Sequence, residues 1–151
     1  MKNDSTFDKI AIKYGLLTFL GLIAYFLVMK LVGLMHIVEL RVLNLFILSY
    51  GVWLAIKQYI KDSEDKFVYL QTLALGVFVS LVAVLPFAIF IFFYMTWDAQ
   101  FMQMIIANEW FGEYLNPYII SFLIFFEGIL SGFFIAYTLM QYMKKSLTTS
   151  T

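Results

Sequence analysis

Residues 67–97 read FVYLQTLALGVFVSLVAVLPFAIFIFFYMTW, with Lys66 before them, Asp98 after them and no charged side chain between. A helix rises 1.5 Å per residue, and roughly 20 apolar residues are enough to cross the hydrocarbon core of a bilayer. A soluble chain of this size could not bury so long an uncharged run. The stretch therefore reads as a transmembrane helix, tilted or bent because it is longer than a straight crossing needs. Pro86 is the expected bend, since it removes one backbone donor and its ring crowds the preceding turn.

Working outward, three more runs follow the same pattern, at about 13–34, 41–60 and 117–143. Met1 to Tyr14 is mixed and polar, a lead expected to turn helical near Phe7. No small-residue cleavage site follows the first run, so it reads as an uncleaved span. The second run is uncharged only from Val42 to Ile56; Tyr59 and the stems of Lys57 and Lys61 extend it to the interface. Asn116-Pro117 starts the fourth, with Asn as N-cap and Pro at the first helical position. Between the third and fourth runs, Phe101, Met102, Met104 and Ile105 fall near one face of a short helix expected to lie along the interface. Residues 1–151 thus read as one all-α domain, an integral membrane bundle of four transmembrane helices.

Composition agrees and excludes much else. The chain is 63% hydrophobic and 13% charged, against about 45–50% and about 25% in soluble domains. Zero net charge argues against a nucleic-acid partner. With no cysteine and one histidine, His36, neither a thiolate site nor a histidine-rich metal site can form, and no cofactor or metal is expected. The sequence carries no zinc-protease, nucleophile-elbow, Walker or dinucleotide fingerprint, so no enzyme is expected. The partners expected are the lipid bilayer and either a second copy of the chain or another membrane protein.

Orientation follows from the basic residues. Lys2, Lys9, Lys13, Lys57, Lys61, Lys66, Lys144 and Lys145 share one side, and only Lys30 and Arg41 lie on the other. The excess marks the cytoplasmic face, placing both termini there. Tyr94, Trp97, Trp110, Tyr114 and Tyr118 then form an aromatic belt at the opposite interface.

Glu127 is the residue that asks for an explanation. It lies ten residues into the last span, about 15 Å from its start. A carboxylate at that depth must be neutral, paired or in contact with water. On a helical wheel Ser121, Glu127, Gly128, Ser131, Gly132, Thr138 and Gln141 share one half, and Phe126, Ile129, Leu130, Phe133, Tyr137 and Met140 the other. The second half suits lipid; the first is expected to face protein or a cavity. Matching depths brings Tyr25, Ser49, Tyr50 and Ser80 to the level of Glu127 and Ser131 as a candidate buried polar site. Two roles are open: a proton or cation site, or a side chain that hydrogen-bonds a neighbouring helix and pins the bundle. With no second buried acid and no relay partner, pinning is preferred.

Small residues recur at helical spacing. Gly128, Gly132 and Ala136 form one stripe; Thr72, Gly76 and Ser80 a second; Gly51 and Ala55, with Asn44 on the same face, a third. Such stripes let helices approach closely, and packing within one bundle is the expected use. Lys30 is expected to snorkel outward or to pair with Glu39, Asn44 to be satisfied by a neighbouring helix, and His36 to be solvated.

Lys13-Tyr-Gly15, Arg41-Val-Leu-Asn44, Tyr69-Leu70, Phe111-Gly-Glu-Tyr-Leu-Asn-Pro-Tyr118, Phe125-Phe-Glu-Gly128, Ser131-Gly132 and Gln141-Tyr-Met-Lys-Lys145 are the most distinctive pieces. Together they resemble a family of small four-helix bacterial membrane proteins, mainly of Bacteroidetes-type bacteria, called domain of unknown function 4199. The likeness spans nearly the whole chain. It implies the fold and the membrane location, and no activity, cofactor or ligand. The leading expectation is a non-enzymatic structural or partner-binding membrane subunit. The alternative is a small proton- or cation-coupled transporter or channel centred on Glu127.

Overall fold

The computed structural model describes residues 2–34, 42–62 and 69–149, with side chains over 6–34, 42–62 and 70–143. Four long helices and one short one follow in chain order: α1 (Lys2–Val32), α2 (Val42–Asp62), α3 (Tyr69–Trp97), α4 (Ala99–Asn108) and α5 (Pro117–Thr149), with a 3-10 turn at Gly112–Tyr114. Apolar spans of membrane-crossing length occupy Thr6–Val32, Val42–Asp62, Leu70–Trp97 and Pro117–Met143. The chain is therefore an all-helical, multi-pass integral membrane protein.

Helix ends follow local chemistry. Gly33 has φ +74°, and its N–H bonds the Lys30 carbonyl while Leu34 N–H bonds that of Met29. This left-handed cap, open to glycine without a Cβ penalty, closes α1. Ile119 N–H bonds Asn116 Oδ1 at 2.9 Å, so the Asn-Pro pair starts α5 as its residue types require. Helix α1 is helical from Lys2, earlier than the polar lead implied, and α5 continues to Thr149. Helix α3 runs through Pro86 without interruption. The links holding His36, Glu39, Arg41 and Lys66, and the side chains of Lys144 and Lys145, lie outside the described residues.

Two cores stack along the bundle. Near the terminal end, Val52, Ala55 and Ile56 of α2, Leu75 and Val79 of α3, and Ala136 of α5 are fully buried together. Near the α4 end, Phe26, Phe87, Ile91, Met95 and Phe101 form the second. Small residues bring the helices close in the first. A Cβ on Gly132 would meet the Ser80 side chain, one on Gly76 would meet Ala136, and one on Gly51 would meet Thr18. Hydroxyls on these faces bond their own helix: Ser80 donates to the Gly76 carbonyl at 2.9 Å and Thr18 to that of Tyr14 at 2.7 Å. Thr72 is buried on α3, and Gly128 and Asn44 lie further toward the α4 end.

Candidate functional site: a lateral cleft beside Glu127

Helices α3 and α5 are antiparallel and pair along their length, with Gly128 against Val84, Gly132 against Ser80, and Ala136 against Gly76. Helix α2 joins them at the terminal end, where Val52 reaches the Gly76–Ala136 crossing. Toward the α4 end, α2 and α5 separate. The gap is a cleft of about 940 Å³. Val84, Phe87 and Ile91 of α3 form its floor, Leu45 and Leu48 of α2 one wall, and Leu123, Ile124 and Leu130 of α5 the other.

Both ends of the cleft are closed. At the terminal end the first core fills the space between α2 and α5. At the other end α4 lies across it, contributing Phe101, Met104 and Ile105. Phe101 packs edge-on against Phe26 and Tyr94, with ring centroids 5.8 Å and 5.2 Å away. Asp98 sets this roof. Its carboxylate accepts the Phe101 N–H at 3.1 Å as the N-cap of α4 and the Tyr94 hydroxyl, also at 3.1 Å. The Lys30 ammonium stands 4.0 Å from Asp98 and 4.6 Å from the centre of the Tyr94 ring. The Phe101 N–H, then the Tyr94 hydroxyl and Lys30, hold the Asp98 carboxyl below its ordinary range. Lys30 is thus engaged by α3 and the start of α4. An aspartate directly before an apolar helix is an N-cap signal.

Glu127 lines the cleft and is exposed in it. Among the described residues none bonds or ion-pairs with its carboxyl. The expected pin to a neighbouring helix is absent, because the wall opposite Glu127 is where α2 has moved away. Tyr25 and Ser131, expected at its level, line the same cleft, and so does Asn44. The other three candidates do not. Tyr50 is exposed and lies against Trp53, 5.8 Å between centroids, on the outside of α2. Ser49 is half-buried away from the cleft, and Ser80 is sealed beneath Gly132. Three wheel assignments on α5 also change, Gln141 of the protein-facing half being exposed outside the cleft. Met140 is fully buried and Thr138 exposed, the latter returning its hydroxyl to the Phe134 carbonyl at 2.8 Å.

The charged groups that line the cleft among the described residues are all acidic. Asn44 Oδ1 is sealed from solvent with no hydrogen-bond partner. Asn108 gives one amide N–H to the Met104 carbonyl at 2.8 Å, and Glu109 and Glu127 bring carboxylates. No Lys, Arg or His lines the cleft among the described residues, and no group of three metal-ligating side chains occurs among them.

No family model, curated protein or solved structure matches this chain. The cleft must be interpreted from its own chemistry.

Proposed function

We propose that the chain is a non-enzymatic binding protein of the bacterial inner membrane, both termini cytoplasmic, that holds a small amphipathic molecule in the cleft between α2 and α5. The observation that carries this reading is the cleft itself: apolar walls, a few polar groups set among them, and protein bounding it at both ends. Its volume, about 940 Å³, lies in the range of roughly 300–1,000 Å³ typical of small-ligand sites. A partner's transmembrane helix would need a groove running the whole thickness of the membrane, and the core around Val52 and Ala136 stops this one halfway. The same core argues against a through-pore, since a conduction path past Glu127 would have to break it.

The reading is tested with the protein in lipid nanodiscs and a diazirine-bearing dodecanol. Photolabelling is expected to concentrate at Leu48 and Leu123, above the level at lipid-facing Phe93. Ser131→Trp and Leu48→Trp, which fill the cleft, are expected to remove the excess. Equal labelling of cleft and lipid face would defeat the proposal.

A further inference from the structure

The Glu127 cleft selects its occupant by charge as well as by shape, and this step rests on the binding reading above. We infer that the ligand is an amphipathic ammonium compound, with an N–H-bearing cationic head near Glu127 and an apolar body along α2, α3 and α5. The chemistry of the lining points one way. Glu127 is a carboxylate with no cationic or donor partner among the described residues. Asn44 Oδ1 is an acceptor sealed from water and unpaired. Asn108 gives one of its two amide N–H groups to the Met104 carbonyl. The described lining offers hydroxyl and amide donors at Tyr25, Ser131, Tyr114 and Asn44 but no positive charge, so the charge that Glu127 lacks must arrive with the ligand.

Physical cost supports the same choice. A buried acceptor without a partner carries the desolvation penalty of the bond it lacks. A carboxylate at membrane depth is held most cheaply by an opposite charge or a strong donor. An ammonium head supplies both. An anionic head would meet the Glu127 carboxylate with no cation beside it among the described residues, and a neutral alkyl chain would leave Asn44 and Glu127 as they stand.

Depth places the head. The pairing of Gly128 with Val84 puts Glu127 beside the middle of α3, well below the α4 roof. The cleft extends along α5 from Ile119 to Phe134, about 22 Å at 1.5 Å per residue. Of that length about 12 Å lies between Glu127 and Ile119 and about 10 Å between Glu127 and Phe134, so an apolar body extending from the head fills the cleft toward one end.

The experiment compares two probes of the same length, a diazirine-bearing dodecylammonium and the matching dodecanol, on the whole chain in nanodiscs. The wild-type protein is expected to be half-labelled by the ammonium probe at about a tenfold lower concentration than by the alcohol, the change expected from one charge-assisted hydrogen bond. Glu127→Gln, with unchanged melting temperature, is expected to abolish that preference, so that both probes label at the same concentration. Asn44→Leu is expected to weaken the ammonium probe selectively and serves if the Gln variant folds poorly. Equal labelling of Leu123 by both probes, insensitive to Glu127→Gln, overturns the ammonium inference and leaves the binding reading standing. If neither probe favours the cleft, both fail. Disulfide cross-linking between copies carrying Leu123→Cys, with both probes excluded, assigns the cleft to a second copy and overturns the inference as well.

Discussion

Glu127 stands at mid-span in α5, and no described residue bonds its carboxyl. Its depth and its place beside Gly128 were readable from the sequence, because both depend on position along a single helix. Its lack of a partner among the described residues was not, because that depends on how far α2 stands from α5. The stability consequence therefore reverses the expectation of a pin. With no interhelical bond to lose, Glu127→Gln and Glu127→Leu are both expected to melt within about 0.5 kcal/mol of wild type. Differential scanning fluorimetry in detergent checks this, and a loss confined to the Leu variant would restore the pinning role. Asp98 carries the opposite expectation. Its carboxyl titrates below its ordinary value because the Phe101 N–H, Tyr94 and Lys30 favour the charged form. A depressed folded pKa gives stability that is present above the unfolded value, about 3.9, and is lost as pH falls through the folded one. Asp98→Ala should lower the melting temperature at pH 7, and the gap from wild type should close toward pH 3. A gap independent of pH would show that Asp98 acts through packing rather than charge.

At the scale of elements, the four spans were legible because long uncharged runs have one physical outcome, and the caps at Gly33 and Asn116 have local signatures. Faces were legible only where spacing repeats. The steps Gly128, Gly132, Ala136 continue at the same interval to Met140, which is fully buried. A wheel of a long helix blurs that line, whereas the i, i+4 series keeps it. The cleft had no such signature, since it arises from the divergence of two helices joined elsewhere by their small residues. Those contacts set the next prediction. Gly132→Leu forces a side chain into Ser80 and is expected to destabilise by about 1–3 kcal/mol. Phe133→Leu, on the exposed side of α5, should stay within about 0.5 kcal/mol. Thermal melting of the two variants in one detergent compares them directly, and equal losses would mean that α5 does not pack on α3 through this stripe.

For the whole molecule, the asymmetry of the two ends matters more than the count of helices. The α4 end carries Trp97, Trp110 and Tyr114 almost fully exposed, as interfacial aromatics should be. It also carries the roof of the cleft and one described lysine, Lys30, already engaged by Tyr94 and Asp98. The opposite end holds the termini and most of the lysines, among them Lys57, which lies 5.0 Å over the Trp53 ring as a side chain reaching for the interface does. If lysine excess marks the cytoplasm, α4 and the roof face away from it, and a ligand enters from the outer leaflet or sideways from the membrane. Because the chain has no cysteine, single substitutions report without background. Ala107→Cys on α4 is expected to react with a membrane-impermeant thiol reagent in intact cells, and Ser63→Cys only after the membrane is opened. The reverse pattern would invert the protein, put the cleft's roofed end in the cytoplasm, and move the source of any ligand to the inner leaflet.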